Sequence, residues 1–323
     1  MKLFRVALAA LLLCPGLLAS PGARAADDVT IGTVGSASAN IWPVFIGIKK
    51  GFFEAENLKV DIVYVQSSAN LVQQLAAGSL DITMSTGLVD PIRAIAQKAP
   101  LAIARLEVQA PPYALLAKSS IKELKDLKGK VISIGGPKDI TKIYVERMLA
   151  PHGVKPGEFD MVFAGATSAR ASALQAGAVD AAILLPPFNF HAIAAGFNEL
   201  GLTIDYAPEL PFSGTVINRN WAAKNGPVVD RILAAHSKSV AWFYDPKNRA
   251  EAVAMMAEAS KIKTEDVEKS YDFFAKGKYF EPTGITSRKK LNALVAAMQQ
   301  LGDLPTPFDT DQLVLQGVTK LGD

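Results

Sequence analysis

The sequence predicts an α/β protein of two lobes, on the basis of a repeated motif, an alternation of elements and two proline-rich segments. Residues 75–81 read Leu-Ala-Ala-Gly-Ser-Leu-Asp, and residues 174–180 read Leu-Gln-Ala-Gly-Ala-Val-Asp. In each copy a helix would end at a glycine that accepts the left-handed conformation, and a short strand would follow. Helices alternate with short strands around both copies, which is typical of a mainly parallel sheet. The motif alone is equally consistent with an ordinary helix-to-strand connection.

The first lobe is predicted to comprise residues 26–110 and 212–323. Alternating or apolar runs predict strands at 29–33, 58–65, 82–84 and 101–108. Helices are expected between these strands, ending near Lys50, Leu75 and Gln97. From residue 228 onward the pattern is mainly helical, and we expect this region to pack on the first lobe.

The second lobe is predicted as an insertion of residues 111–211. The proline-rich segments 109–113 and 206–212 bracket it. We interpret them as paired hinge strands, because residues before proline are held extended and proline is tolerated at sheet edges. Two ordinary surface loops are the alternative. Within the insertion the pattern predicts strands at 113–117, 131–134, 161–163 and 181–185, with helices that end near 127, 149 and 175.

Residues 1–25 have the features of a secretory signal peptide. Lys2 and Arg5 precede an apolar run, and Ala23-Arg24-Ala25 forms an A-x-A cleavage site. The apolar run is shorter than the roughly 20 residues that span a bilayer. We therefore predict cleavage after about Ala25 and a periplasmic location. The only cysteine, Cys14, lies in this segment, and the leucine before it argues against a lipid anchor.

The charge balance of the exported chain gives no sign of a polyanionic partner. The full sequence has 34 lysines and arginines against 31 aspartates and glutamates, and the signal peptide contains three of the basic residues and no acidic one. The mature chain is therefore balanced, and binding to nucleic acid or to a membrane surface is not expected. The remaining residues suffice for two domains, and we expect a monomer.

No catalytic, cofactor or metal motif is present. His152, His191 and His236 have no metal-ligand spacing, and no G-x-S-x-G elbow, G-x-G-x-x-G fingerprint or P-loop occurs. We expect His236 on a helix surface, whereas His191 could either reach a cleft or pack normally. The sequence therefore predicts no catalytic residue, metal or cofactor.

Four loops of small or hydroxyl residues follow predicted strands and open helices, at positions 35–40, 85–87, 135–139 and 165–168. Backbone N–H groups at helix starts are free to face an anion or a carbonyl oxygen. Each loop alone is more simply a helix cap. Four of them, divided between two lobes, favour a binding cleft that closes.

A segment near the start of the mature chain carries a family resemblance. Residues 48–54, Ile-Lys-Lys-Gly-Phe-Phe-Glu, together with the two repeated motifs and residues 126–130, resemble the substrate-binding proteins of nitrate/sulfonate/taurine-type ABC transporters. Binding proteins for pyrimidine precursors of thiamine are related. The resemblance implies a type II periplasmic-binding-protein fold, with two α/β lobes, two hinge strands and closure over one ligand. It also implies a membrane permease and its ATPase as partners.

The resemblance and the loop positions together nominate a ligand-binding set. The resemblance implies contacts in the loop after the first strand, in the loop after the third strand and at the first glycine loop of the inserted lobe. Relatives place a serine or threonine soon after those glycines, whereas here Lys138 intervenes, either as an anion contact or as a solvated lysine. Aromatic residues near the loops could pack on the ligand or belong to the core. The predicted set is Ser36, Ser38, Asn40, Trp42, Ser85, Thr86, Gly136, Lys138 and Phe188.

Arg93, Arg147 and Arg170 fall within predicted helices, so no arginine clamp for a carboxylate or sulfonate is expected. Helix N-termini contribute about 0.3–1 kcal/mol each, whereas micromolar binding needs about 8 kcal/mol. Burial of ligand surface, including aromatic contacts, must supply the rest. We therefore predict a small organic anion, such as a sulfonate or an aromatic carboxylate, in preference to nitrate.

Two alternatives stay open at this point. One is binding of a pyrimidine precursor, or a pyrimidine-synthase-like enzyme of the same fold that uses pyridoxal phosphate; no Schiff-base lysine is identifiable in the sequence. The other is a binding protein that signals to a membrane receptor, which the sequence does not distinguish from transport.

Overall fold

The computed structural model describes residues 25–322, so the predicted signal peptide up to Arg24 lies outside the described chain. The strands are β1 (Asp27–Val34), β2 (Leu58–Val65), β3 (Ile82–Gly87), β4 (Leu101–Val108), β5 (Ala114–Ala117), β6 (Val131–Ile134), β7 (Asp160–Phe163), β8 (Ala181–Leu184), β9 (Asn198–Leu202), β10 (Ser213–Asn218), β11 (Ile285–Ser287) and β12 (Lys320–Gly322). The helices are α1 (Trp42–Lys49), α2 (Phe52–Ala55), α3 (Ser68–Ala77), α4 (Val89–Ala96), α5 (Ile140–Leu149), α6 (Thr167–Gln175), α7 (Phe188–Ala194), α8 (Arg219–Lys224), α9 (Gly226–Tyr244), α10 (Arg249–Ser260), α11 (Thr264–Lys276) and α12 (Arg288–Gln300).

Two five-stranded sheets define the two lobes. Lobe 1 has the order β2-β1-β3-β10-β4, and lobe 2 has the order β7-β6-β8-β5-β9. In each sheet the first three strands are parallel, and the fourth, β10 or β5, is antiparallel to both of its neighbours. The predicted pair of mainly parallel α/β lobes is therefore confirmed, and the carboxyl ends of the parallel strands are where a ligand site is expected.

The chain passes between the sheets twice, from β4 to β5 and from β9 to β10. The Phe212 N–H donates to the carbonyl of Val108 at 2.9 Å, and the Thr203 N–H donates to the carbonyl of Tyr113 at 2.9 Å, so the two crossings run side by side. Their central residues form no strand. Proline has no N–H to donate, so these segments join the lobes without a continuous ladder.

The repeated motif does the same structural task in both lobes. Gly78 and Gly177 both adopt left-handed φ angles, +77° and +72°, and end α3 and α6. The side chain of Asp81 then accepts a hydrogen bond from the Thr30 N–H at 2.8 Å. The side chain of Asp180 accepts one from the Val131 N–H at 3.0 Å. Each copy therefore turns the chain from a helix into a strand and clamps that strand to its parallel neighbour.

The C-terminal helices pack on lobe 1, as predicted, and their interior includes Trp42. The Trp42 ring is 0% exposed, and its Nε1–H donates to the carbonyl of Ala252 at 2.8 Å. Phe243 and Tyr271 contact it edge-on, with ring centroids at 5.3 and 6.0 Å. The prediction that Trp42 contacts the ligand is wrong, because its helix turns this side chain towards the helical layer and away from the cleft.

Within residues 25–322, no helix is both long enough and apolar enough to cross a membrane.

The prediction for His236 is also wrong, because its ring is buried between α9 and the sheet of lobe 1 and is not on a helix surface. His191 lies on α7 of lobe 2, and its Nδ1 is 3.4 Å from the carboxylate of Asp266 on α11. This histidine therefore joins lobe 2 to the helical layer.

Candidate ligand-binding site

A cavity of about 50 Å³ lies between the lobes, and we call it the inner cavity. Strand ends, loops and helix starts from both sheets line it: Val34, Ser38, Asn40, Ser67, Ser68, Ser85, Gly87 and Phe212 on the side of lobe 1, and Tyr113, Gly135, Asp139, Gly165, Ala166, Thr167, Arg170 and Leu185 on the side of lobe 2. A buried water needs about 10–15 Å³, so the cavity has room for a group of only a few atoms.

Asp139 and Arg170, both of lobe 2, are the charged residues that line this space, and the Asp139 carboxylate accepts hydrogen bonds from Thr141. Arg170 is the positive one. It lies in the first turn of α6 and is 3% exposed. Its Nη2 donates to the hydroxyl of Thr167 at 2.6 Å, whereas Nε and Nη1 have no partner among the described residues. A buried charge with unsatisfied donors is costly unless something pairs with it. The cavity is therefore suited to an anion.

Tyr113 forms the wall beside this guanidinium, with the Arg170 Cζ 5.5 Å from its ring centroid. Phe212 packs edge-on against the ring at 5.0 Å, and Tyr144 lies at 5.9 Å. Burial raises the pKa of the Tyr113 hydroxyl above its ordinary value, because the phenolate would be desolvated. The hydroxyl therefore stays protonated and can donate a hydrogen bond.

Lobe 1 contributes neutral groups to the same cavity. The Asn40 Nδ2–H donates to the carbonyl of Ser85 at 3.0 Å, and the Ser85 hydroxyl lies 2.8 Å from the carbonyl of Asn40. Ser68, at the start of α3, has a buried hydroxyl without a partner among the described residues. This side can therefore offer hydroxyl and amide dipoles to a ligand without adding charge.

The lobes touch on both sides of the inner cavity. The Ala39 N–H of lobe 1 donates to the carbonyl of Pro186 of lobe 2 at 2.8 Å. On the other side, Gly165 of lobe 2 lies so close to Gln66 of lobe 1 that a Cβ atom would overlap the Gln66 carbonyl oxygen. These contacts define a closed arrangement of the two lobes.

A larger groove of about 700 Å³, which we call the outer groove, continues from the inner cavity. The two spaces share Ser67, Ser68, Gly135, Asp139 and Gly165. Apolar side chains occupy much of the rest of the lining, namely Ala69, Val72, Ala94, Pro137, Phe163 and Ala164, and Phe163 is 56% exposed. The groove can therefore take an apolar body that extends from a group held in the inner cavity.

A second arginine bridges the lobes in the outer groove. Arg93 of α4 donates to Asp90 at 2.8 Å, to Asp303 at 2.7 Å and to the carbonyl of Lys138 in lobe 2 at 3.2 Å. Burial, and then the nearby Asp139 carboxylate, raise the pKa of Asp90 to about 6, and they outweigh the opposite effect of Arg93. Arg93 is committed to these partners, so Arg170 has the freer guanidinium.

The structure divides the predicted ligand-binding residues into several groups. Ser38, Asn40 and Ser85 line the inner cavity, and Gly136 and Lys138 line the outer groove.

The remaining predicted residues lie at neither space. Ser36 is exposed on its loop. Thr86 is fully buried and lines neither space. Phe188 packs against the apolar interior of lobe 2, with Ala171 and Leu174 of α6 in the same cluster.

Sequence reasoning missed Arg170. It is in a helix, as predicted, but this helix starts at the cavity, and Arg170 follows Thr167 by three residues on the same face. Long helical side chains point back towards the N-terminus of their helix. An arginine in the first turn after a predicted cleft loop was therefore the signal available.

Among residues 25–322, no group of acidic, histidine or cysteine side chains could hold a metal ion.

The family model described as NMT1/THI5 like matches residues 38–250 of this sequence. The chain belongs to the NMT1/THI5-like family. Among the residues that line the inner cavity, all except Val34 lie within the match. No curated protein sequence matches this NMT1/THI5-like chain.

Solved structures show that its fold is that of periplasmic binding proteins. The alkanesulfonate-binding protein SsuA of Xanthomonas axonopodis pv. citri, bound to MOPS, is 18% identical over 93% of this chain and 100% of its own, with a TM-score of 0.72. The aliphatic sulphonate binding protein SsuA of Escherichia coli is 21% identical over 90% and 98%, with a TM-score of 0.69. The nitrate-binding protein NrtA of Synechocystis PCC 6803 is 15% identical over 88% and 84%, with a TM-score of 0.72. The fold implied by the resemblance in sequence is therefore confirmed.

Proposed function

We propose that this protein is a periplasmic solute-binding protein that captures a small organic anion between its lobes and delivers it to an ABC importer. The observation that carries the proposal is the buried Arg170 guanidinium beside the inner cavity, whose Nε and Nη1 lack partners among residues 25–322. The two oxygens of a carboxylate or sulfonate match the fork of such donors. Thr167 and Tyr113 offer hydroxyl groups next to it.

The sizes of the two spaces favour an organic ligand over bare nitrate. The inner cavity, of about 50 Å³, suits an acid group alone. The outer groove, of about 700 Å³, has apolar side chains and is continuous with it. A ligand with its acid group on Arg170 and its apolar body in the groove would bury surface in both spaces. Nitrate would use only the first of them.

The transport role rests on the predicted signal peptide and on the fold that the chain shares with sulfonate-binding and nitrate-binding proteins. On this proposal the mature chain is a periplasmic monomer, and its partners are a membrane permease and the ATPase that drives it. Closure of the lobes over the ligand would create the surface that the permease recognises.

Calorimetry on the purified mature chain tests the ligand class. The panel would contain alkyl and aryl sulfonates, aromatic carboxylates, pyrimidines and nitrate. We expect binding at micromolar or lower dissociation constants for at least one organic sulfonate or carboxylate, and weaker binding of nitrate. Tight binding of nitrate alone, or of a neutral pyrimidine alone, would overturn the proposed ligand class.

A pyridoxal-phosphate enzyme is the competing function, since the family name covers synthase-like proteins. Its cofactor would need a lysine for a Schiff base, and no lysine lines the inner cavity as the structure describes it. The purified protein is therefore expected to be colourless. A visible absorbance band, together with covalent attachment of the cofactor to a lysine after borohydride reduction, would favour the enzyme over the binding protein.

A further inference from the structure

A buried carboxylate lies directly behind the lobe 1 wall of the inner cavity. Glu107, next to the end of β4, is 1% exposed and is not part of the cavity lining. Its Oε2 accepts the backbone N–H of Ser85 at 2.7 Å and lies 3.0 Å from the Ser85 hydroxyl. Its Oε1 accepts a hydrogen bond from the hydroxyl of Thr215 on β10. Two of these three donors belong to one residue of the cavity wall.

Ser85 has an unusual backbone that needs such a partner. Its φ angle is +57°, in the left-handed region that is unfavourable for a residue with a side chain. The pairing of β3 with β10 shifts register beside it, between Gly214 and Val216. A bulge of this kind removes an N–H from the ladder and turns the side chain to a new direction. The carboxylate of Glu107 takes the place of the missing ladder acceptor.

The bulge in turn sets the position of Asn40. Because Ser85 leaves the ladder, its carbonyl oxygen points to the Nδ2–H of Asn40, which donates to it at 3.0 Å. The Ser85 hydroxyl lies between the Asn40 carbonyl at 2.8 Å and Glu107. A chain of hydrogen bonds therefore runs from Glu107 through Ser85 to Asn40, and its last two members line the inner cavity.

The charges around Glu107 belong to the scaffold of lobe 1. Arg105, on the same strand, donates to the Glu281 carbonyl at 3.2 Å and to the Ser237 hydroxyl at 2.9 Å. The His236 Nε2 lies 4.0 Å from the Glu107 carboxylate. Burial, and then the charge of Arg105, lower the pKa of His236 well below its ordinary value, so the imidazole is neutral. Burial raises the pKa of Glu107, and the hydrogen bond from Thr215, the charge of Arg105 and the hydrogen bonds from Ser85 act against that rise.

We infer that Glu107 is a positioning residue of the ligand site, whose carboxylate holds the bulge at Ser85 and thereby aligns Asn40 without touching the ligand. The inference rests on the proposed ligand site for its effect on affinity. Its effect on the conformation of Ser85 does not depend on any ligand.

The test compares Glu107→Gln with Glu281→Gln. Glu281 is a matched control, because it is a second buried carboxylate, 6% exposed, that contacts the same Arg105 but not Ser85. A glutamine at 107 keeps one acceptor oxygen, so it can accept from Ser85 or from Thr215 but not from both. Glu107→Asp, whose shorter carboxylate falls short of Ser85, is therefore measured beside it. We expect both glutamine variants to lose thermal stability.

Two measurements separate the variants. Residue-resolved hydrogen exchange should show that the Ser85 amide exchanges at least about 10-fold faster in Glu107→Gln than in the parent. This factor corresponds to a lost hydrogen bond worth about 1.4 kcal/mol or more. In Glu281→Gln the exchange rate of the Ser85 amide should be unchanged. Calorimetry with benzenesulfonate should show an affinity about 10-fold lower in Glu107→Gln and within twofold of the parent in Glu281→Gln.

Each outcome decides the inference. Equal losses of affinity in Glu107→Gln and Glu281→Gln, or a Ser85 amide that stays protected in both Glu107→Gln and Glu107→Asp, would overturn it. If the parent protein does not bind benzenesulfonate, that arm bears on the proposed ligand class alone, and the exchange of Ser85 still decides the role of Glu107. Should Glu107→Gln fail to fold, Glu107→Asp takes its place, because its shorter carboxylate keeps the buried charge but falls short of Ser85.

Discussion

The two lobes share a strand order, yet they present different chemistry to the space between them. Lobe 2 contributes the charged residues, Arg170 and Asp139, and an aromatic wall, through Tyr113. Lobe 1 contributes neutral groups, with Ser38, Asn40 and Ser85 on its side of the cavity. The common topology fixes where the loops lie, whereas individual side chains decide what the loops bind. We therefore expect lobe 2 to hold an anion first and lobe 1 to complete the site on closing.

Replacement of the charge on lobe 2 should have the largest effect. Arg170→Gln removes the guanidinium, and hydrogen bonds to a charged group are worth about 1.5–3 kcal/mol each. For two such bonds we expect calorimetry to show an affinity for organic anions lower by roughly 100-fold or more. The ligand-free variant should be at least as stable as the parent, because an unpaired buried charge has been removed.

Arg147→Gln is the control for this change, since Arg147 lies on α5 of the same lobe and pairs with Glu209 away from the cavity. It should leave the affinity unchanged. A loss of affinity below threefold in Arg170→Gln would mean that lobe 2 does not supply the main charged contact to the ligand.

Obstruction of the contact between the lobes should have the next largest effect. An alanine at Gly165 would overlap the carbonyl of Gln66 in the closed arrangement. We expect roughly a 10-fold loss of affinity, equal to about 1.4 kcal/mol of closure energy. Small-angle X-ray scattering should show that saturating ligand no longer compacts the variant.

Gly177→Ala is a matched control for the backbone strain. Gly177 has a similar φ angle, +72° against +70°, and a Cβ atom there would meet nothing within 4 Å. Both variants should lose about 1 kcal/mol of stability from the left-handed conformation. Equal affinities of the two variants for ligand would argue against closure at Gly165.

Two variants with smaller effects should distinguish residues that stabilise lobe 1 from residues that line the cavity. Gly78→Val forces a branched side chain into a left-handed helix end, so it should lower the free energy of unfolding by about 1–3 kcal/mol. Ser85→Ala removes a cavity hydroxyl and its hydrogen bonds to Asn40 and Glu107, so it should weaken binding by about 1 kcal/mol, roughly fivefold. Gly78→Val should leave the affinity unchanged. Calorimetry on both folded variants checks this, and equal losses of affinity would contradict the division.

The last prediction concerns stability at the outer groove and depends on pH. The pKa of Asp90 is raised to about 6, above its value of about 3.8 in the unfolded chain, so the folded protein binds this proton more tightly. The stability from this group is present below about pH 4 and is lost as the pH rises through about 6. Asp90→Asn should therefore match the parent near pH 4 and become more stable than it by pH 7.

Denaturant unfolding at several pH values measures this difference, with Asp28→Asn as an exposed control on the edge strand pair of lobe 1. If the difference in free energy of unfolding between Asp90→Asn and the parent stays constant from pH 4 to pH 7, titration of the buried carboxyl is not its source.

Much of the fold was predictable because its signals are local in the chain. The glycines at 78 and 177 and the aspartates at 81 and 180 recur at fixed spacing, and the structure gives both pairs the same helix-ending and strand-clamping tasks. Alternating and apolar runs located four of the five strands in each sheet, whereas β9 and β10 were not predicted. The proline segments marked the two crossings, although their lack of N–H donors keeps them from forming strands.

The candidate site was predictable only in part, because periodicity identifies the apolar face of a helix without saying what lies opposite. Trp42 follows a predicted cleft loop, yet its helix turns the ring into the layer formed by α10 and α11. Arg170 is within a helix, yet that helix begins at the cavity. Glu107 and His236 are polar residues in strand and helix patterns, and nothing in their sequence context indicates that they meet in the interior.

The sequence by itself determined the two α/β lobes, the order of their elements and the loops at the ends of their strands, because helix caps, glycine turns and strand alternation depend on neighbouring residues. Only the tertiary structure decided which side chains reach the cleft. Arg170 and Asn40 lie 130 positions apart in the chain, and they line one cavity because two separate sheets close on each other. That meeting depends on contacts such as Gly165 with Gln66, which no local pattern encodes.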